Sequence, residues 1–101
     1  MFVHIVFWRL RDDPENGQSK EENARQMKRQ FEAMRGHLRG LVRLDCGIDI
    51  SRTADSADVA LYTEFDDRDA YDAYYAHQLH LDIMGFIKGV RAERRVVDYQ
   101  V

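Results

Sequence analysis

The residues with the clearest chemical potential lie in one short segment, Tyr74–His80 (YYAHQLH). The segment holds two of the four histidines, three residues apart, with two tyrosines directly upstream. A spacing of three is close to one helical turn, so Tyr74, His77 and His80 are predicted to lie along one side of a helix. Histidine is the side chain that most readily exchanges a proton near neutral pH. Any reaction of this protein is therefore expected to be centred here.

This pattern fits two kinds of chemistry. A neutral imidazole can remove a proton next to a carbonyl group, and a tyrosine hydroxyl can stabilise the oxyanion that forms. The H-x-x-H spacing of His77 and His80 could also supply two metal ligands. Zinc usually takes at least three protein ligands, and Cys46 has no partner cysteine. His4 could be a third ligand only if the fold brought it close, so no metal is assigned to the site.

Composition narrows the class of protein. The 101 residues fit one domain, residues 1–101. The net charge of −3 gives no positive field for nucleic acid, and the basic residues between Lys28 and Arg43 are interrupted by acidic ones, as on a solvated helix face. No apolar run reaches the roughly 18 residues that cross a bilayer, so no membrane partner is expected. The single cysteine excludes an intrachain disulfide and favours a cytoplasmic location.

The first strand is predicted over Phe2–Leu10 (FVHIVFWRL), which is rich in β-branched and aromatic residues. Val3, Ile5 and Phe7 would face one way, and Phe2, His4, Val6 and Trp8 would face the other. Both sides are largely apolar. This strand is therefore expected at the centre of a sheet that is covered on both faces.

The rest of the chain alternates between helical and extended patterns. Ser19 and Glu22 fit a capping box at the start of a first helix, whose apolar stripe ends near Gly36 and Gly40. A second helix is predicted from about Asp69 to Gly85 or Gly89. Further strands are predicted over residues 42–50, with a bulge at Gly47, over residues 59–65 and over residues 92–101.

The predicted order β-α-β-β-α-β is the ferredoxin-like arrangement, an α+β fold with a four-stranded antiparallel sheet. Its crossovers place the first and third strands at the centre and both helices on one face. The other face would expose the apolar side of the first strand, together with Ala60 and Tyr62. A second copy packing sheet to sheet would cover it, so the sequence predicts a homodimer.

Four segments of the chain carry a resemblance to a known family. They are Val3–Val6, Thr63–Asp66, Tyr74–His80 and Val97–Tyr99, and their order and spacing span nearly the whole sequence. In these features the chain resembles the stress-responsive A/B barrel domain (Dabb) family. The resemblance implies a dimeric α/β barrel built from two ferredoxin-like subunits. Most members of the family have no assigned reaction.

One plant member is a polyketide cyclase that closes a ring by intramolecular aldol condensation. The resemblance to it places a catalytic tyrosine at Tyr74, a catalytic histidine at His80 and a strand histidine at His4. We expect a pocket for a small apolar ligand between sheet and helices. His4, Val6 and Trp8 would line it from the strand, and His77 would join Tyr74 and His80 on the helix. This chemistry needs no cofactor.

Two other interpretations remain open at this stage. The tyrosines and histidines can be hydrogen-bonded core residues, or they can bind a ligand without reacting with it. Related dimeric barrels include haem-degrading and quinone-forming monooxygenases, but the sequence offers no clear axial ligand beyond the same histidines.

The chain also departs from the family pattern: Gln78 stands where proline is common, so the second helix is expected to be free to continue through this point. Arg39 likewise replaces the proline of a Pro-Gly pair.

Overall fold

A computed structural model describes all 101 residues of the chain. Seven elements follow one another along it: β1 (Phe2–Leu10), α1 (Lys20–Glu32), β2 (Leu41–Ile48), β3 (Val59–Phe65), α2 (Arg68–Ala76), α3 (Gln78–Val90) and β4 (Arg91–Gln100). The strands form one antiparallel sheet in the order β2-β3-β1-β4. The ferredoxin-like prediction is confirmed, with the first and third strands adjacent at the centre of the sheet.

β1 is fully buried on one side within the chain, whereas Phe7 and Arg9 on its other side are exposed. Directly opposed residues of paired strands share one face of the sheet, so the pairing of His4 with Thr63 and Asp98 places all three on the same side. That side faces the helices. The helix-facing residues of β1 are all buried: Phe2, His4, Val6, Trp8 and Leu10.

The first helix begins where its sequence predicts. The Ser19 hydroxyl accepts a hydrogen bond from the Glu22 amide at 3.1 Å, which satisfies one of the free amides of the first turn. Ala24, Met27 and Phe31 pack into the core from the helix, and Met34 joins them from the turn that follows. The α1 stripe therefore packs mainly over β2, and Phe31 also reaches Trp8 of β1.

Three expectations about element boundaries are wrong. The second helical region breaks into α2 and α3 at His77, although Gln78 replaces the expected proline. α3 then runs through both Gly85 and Gly89 to Val90, because helix packing overrides the modest cost of glycine. The sheet irregularity lies between Leu41 and Arg43, while Gly47 pairs in register with Ala60.

The sheet face away from the helices carries apolar side chains that nothing within the chain covers. Phe7 is 43% exposed, Val97 53% and Tyr99 43%. Contiguous apolar surface of this kind is uncommon on isolated domains. None of the helices combines the length and apolar character that a membrane span requires.

Candidate functional site

The break at His77 shapes the candidate site. His77 has an extended backbone (φ −70°, ψ 144°), which ends α2. Its amide donates a hydrogen bond to the Tyr74 carbonyl at 3.1 Å. Its Nδ1 then accepts a hydrogen bond from the Leu79 amide at 3.1 Å and caps α3. Because this side chain is exposed and used as a cap, the predicted alignment of His77 with Tyr74 and His80 is wrong. His77 does not join the cluster that those two residues form.

Tyr74 and His80 meet across the break. Their ring centroids lie 4.6 Å apart, and the Tyr75 ring also packs against His80 at 4.8 Å. His80 Nδ1 lies 3.0 Å from the Tyr75 carbonyl oxygen. A carbonyl only accepts hydrogen bonds, so Nδ1 carries the proton and Nε2 keeps the lone pair.

His80 is poised as a neutral base. Burial lowers the pKa of His80 below its ordinary value of 6.5, with smaller contributions from the charges of His4 and Arg94; the hydrogen bond to the Tyr75 carbonyl partly offsets these effects. At neutral pH the ring is therefore uncharged with an available Nε2. This is the protonation state that a general base requires.

His4 forms a second histidine site next to the first. Its Nδ1 contacts Asp98 Oδ1 at 2.5 Å, and its ring lies 4.9 Å from Tyr71 and 6.2 Å from Tyr74. Burial lowers the pKa of His4, although the hydrogen bond to Asp98 raises it in part. The carboxylate accepts a hydrogen bond from Nδ1–H, so in the neutral ring Asp98 fixes the tautomer and leaves Nε2 unprotonated.

Asp98 is the site residue that sequence reasoning missed. The only signal for it was its place in Val97–Tyr99, one of the segments that carry the family resemblance. Its contact with His4 depends on the register of β4 against β1, which sets the two residues directly opposite each other. A pattern of residue types does not determine that register.

The two buried tyrosines are hydroxyl donors. Burial raises the pKa of Tyr71 to about 12 and raises that of Tyr74 still further. Both phenols are therefore protonated at neutral pH. Tyr74, beside His80, can donate to an oxygen that gains negative charge during a proton transfer.

Val6 and Trp8 lie in the core below this cluster. Both are about 1% exposed, and the Trp8 ring stacks on Phe31 at 5.6 Å. The main surface clefts lie elsewhere. One of about 440 Å³ surrounds the carboxyl end of β1, and its lining includes Arg9, Lys20 and Asp58 but none of the predicted site residues.

The cluster approaches solvent along β4. This edge strand is only partly covered on its helix-facing side: Val96 is 43% exposed, and the Asp98 side chain is 36% exposed. Tyr75, which packs on His80, is 47% exposed. A molecule that reached His80 from solvent would therefore enter between β4 and the junction of α2 with α3.

The structure contains no group of three or more His, Cys, Asp or Glu side chains that could hold a metal ion. Cys46 is a buried core residue, and burial raises the pKa of its thiol to about 11. A protonated thiol is a weak nucleophile, so Cys46 lacks the environment of a reactive cysteine.

Comparison with solved structures finds this fold in many proteins. A dimeric protein of unknown function from Bacteroides fragilis is 26% identical, with a TM-score of 0.84 over 99% of this chain and 95% of that one. A dimeric ferredoxin-like protein from Thermobifida fusca is 21% identical, with a TM-score of 0.84 over 99% and 90% of the two chains.

A hydroxynitrile lyase from Passiflora edulis is 16% identical, with a TM-score of 0.77 over 99% of this chain and 92% of that one. No curated protein shows a significant match. The family model of the Stress Responsive A/B Barrel Domain matches residues 2–101. The βαββαβ fold and this match over nearly the whole sequence establish that the chain belongs to the Dabb family.

Proposed function

We propose that this Dabb protein is a homodimer in which each subunit binds a small molecule beside Tyr74 and His80, and that this pair moves a proton on the bound molecule. The supporting observation is the 4.6 Å contact between the two rings, with His80 Nδ1 held by the Tyr75 carbonyl. The base and the donor are thereby adjacent, and each has the protonation state that its role requires.

The chemistry follows from the free atoms of the two side chains. His80 Nε2 takes a proton from a carbon next to a carbonyl group, and the Tyr74 hydroxyl donates a hydrogen bond to the enolate oxygen. In a molecule with a second carbonyl, the enolate carbon can attack it, form a carbon–carbon bond and leave an alkoxide that regains the proton. Loss of water would then complete a cyclase-like aldol condensation. No cofactor takes part in these steps.

Binding without chemistry is the second candidate function. The Tyr74 and His80 side chains are 2% and 4% exposed, so the same rings also serve as packing residues. A ligand could bind between β4 and the α2–α3 junction without reaching Nε2. The two functions differ in whether His80 is needed for exchange of a proton.

Exchange of α-protons separates the two functions. Methyl ketones and β-diketones would be incubated with the protein in D2O, and exchange at the α-carbon would be followed by NMR. We expect acceleration by the wild type, a loss of about 10²-fold or more in His80→Ala, and a smaller loss in Tyr74→Phe. His37→Ala, which changes an exposed histidine, is the matched control. Saturable binding without His80-dependent exchange would support binding alone.

The homodimer is supported by the uncovered apolar face of the sheet and by the dimeric relatives from B. fragilis and T. fusca. Packing two such faces together would bury Phe7, Val97 and Tyr99. Val97→Lys should therefore yield monomers in analytical ultracentrifugation, whereas Ile50→Lys, in an exposed turn, should not. A wild-type protein that is monomeric at micromolar concentration would disprove the dimer.

We also propose a cytoplasmic location, which suits a single buried cysteine.

A further inference from the structure

Two buried N–H groups on the helix-facing side of the sheet lack a hydrogen-bond partner. They are the indole Nε1–H of Trp8 and the guanidinium Nε–H of Arg94. Trp8 is 1% exposed. Leaving a buried donor unsatisfied is costly, so each such group needs an explanation, and a bound acceptor is one.

The two donors belong to residues that are neighbours in the sheet. Trp8 of β1 and Arg94 of β4 are directly opposed in the sheet, which places their Cβ atoms about 4.5–5.5 Å apart on the same face. Neither group can accept a hydrogen bond, because an indole and a guanidinium are donors only. The missing partner is therefore an acceptor.

The charge of Arg94 is not balanced within the chain. Its guanidinium takes part in none of the ion pairs of the structure. Asp98, on the same side of β4, is already hydrogen-bonded to His4. Glu93 lies on the opposite face of the strand, beside Arg95. An acceptor that also carries a negative charge would satisfy both requirements.

Arg94 lies on the same face of β4 as Asp98, the partner of His4. Arg94 and Asp98 are four residues apart on one strand, about 13 Å between their Cα atoms. Val96 lies between them, half-exposed and directly opposite Val6, and forms an apolar floor. The Arg94 charge also lowers the pKa of His80 and His4, which places the guanidinium within electrostatic reach of both rings.

We infer that Trp8 and Arg94 form a carboxylate-binding subsite, and that the ligand is a small carboxylic acid with an apolar segment between its carboxylate and the carbon that faces His80. This inference rests on the proposed function for the location of the reacting end. A carboxylate oxygen accepts from the indole N–H, and the guanidinium binds the charge. Trp8 and Arg94 anchor the ligand, whereas Tyr74 and His80 act on it.

NMR titration tests the subsite directly, because Trp8 is the only tryptophan and gives one indole N–H signal. Benzoate is the probe, and benzamide is its uncharged counterpart of similar shape. We expect benzoate to shift the Trp8 indole and Arg94 Nε–H signals and to bind about tenfold more tightly than benzamide. Arg94→Gln should remove that preference and leave benzamide binding unchanged. Arg39→Gln removes the same charge from an exposed position outside the site and serves as the control.

A second variant covers the case in which Arg94→Gln does not fold. Trp8→Phe keeps an aromatic ring against Phe31 but deletes the N–H donor, and should weaken benzoate binding by more than benzamide binding, because the hydrogen bond to a carboxylate is the stronger one. Equal binding of the two probes, failure of both to bind, or unchanged signals from Trp8 and Arg94 would overturn the subsite. Those donors would then be satisfied by internal water.

The test also distinguishes the subsite from the proposed function. If the two probes bind equally while α-proton exchange still depends on His80, the carboxylate subsite is wrong and the proton-transfer site stands. If benzoate binds at Trp8 and Arg94 but His80→Ala leaves α-proton exchange unchanged, the subsite stands and the proposed chemistry is wrong.

Discussion

The rings of Tyr74 and His80 lie 4.6 Å apart although the two residues belong to different helices. In one continuous helix, residues six positions apart would be separated by about 9 Å along the axis, well beyond the observed ring distance. The extended backbone of His77 removes this obstacle by ending α2 and starting α3 at a new angle. The contact between the two rings therefore depends on the helix break.

Gln78→Pro should be tolerated at this break. Gln78 is the first residue of α3, where proline needs no intrahelical amide, and His77 already has the extended ψ that a residue before proline prefers. The change loses the 2.7 Å hydrogen bond from Gln78 to Asp82 but restricts the unfolded chain. We expect the free energy of unfolding, measured with urea, to stay within about 1 kcal/mol of wild type.

Asp82→Pro is the matched control, because it places proline inside the same helix at an exposed position. It should cost about 3 kcal/mol. Equal losses for the two proline variants would mean that α2 and α3 form one continuous helix in solution.

Removing the partner of His4 should destabilise the fold. Asp98→Ala leaves the buried Nδ1–H of His4 without its acceptor, and we expect a loss of about 1–2 kcal/mol in urea unfolding. The loss lies at the low end of the usual range because Asp98 is partly exposed and water can reach the site. Asp98→Asn keeps an acceptor oxygen and should cost less.

Asp72→Ala controls for the loss of an exposed carboxylate. Asp72 pairs with Arg68 on the surface of α2, where such a pair contributes about 0.5 kcal/mol or less. If Asp98→Ala cost no more than Asp72→Ala, the contact between Asp98 and His4 would be unimportant for stability.

The close approach of Gly40 to α2 can be measured by substitution. A Cβ at Gly40 would lie 2.5 Å from Ala70 Cβ, whereas one at Gly36 would meet open space; both glycines have a φ near +80° (82° and 81°). The cost of that backbone conformation, about 1 kcal/mol, is common to both. Gly40→Ala should therefore be clearly more destabilising than Gly36→Ala in thermal or urea unfolding. Equal losses would show that α2 does not approach Gly40 closely.

Stability should fall as the pH drops from about 7 to about 5. Burial lowers the pKa of His4 and His80 in the folded state, so the unfolded chain takes up protons first as the pH passes below 6.5. The loss stops growing once the pH passes below the folded pKa of each ring. The pKa values of the Asp12 and Glu22 carboxyls are lowered from 3.8 and 4.5, so these groups affect stability only at lower pH, below about 5.

His80→Asn removes one of these titrating groups and should flatten the dependence of the free energy of unfolding on pH in that window. His37→Asn, which changes an exposed histidine, is the control variant. A slope unaffected by His80→Asn would contradict the buried, neutral state of the ring.

The sequence allowed much of this fold to be predicted because local patterns determine it. The apolar β1 sequence requires a central strand, and Ser19 with Glu22 specifies the start of α1. The helix break was missed because no proline or glycine marks it: His77 ends one helix and caps the next with its own side chain. The contact of Asp98 with His4 and the pairing of Arg94 with Trp8 were missed because they depend on the register between β4 and β1, which long-range packing determines.

The most direct test of the central claim is a 15N NMR pH titration of His80 in the folded protein. We predict a pKa below 6.5, and at neutral pH a ring with its proton on Nδ1 and the lone pair on Nε2. Those two results together are what a base beside Tyr74 requires. A pKa at or above 6.5, or a neutral ring with its proton on Nε2, would contradict the proposed role of His80.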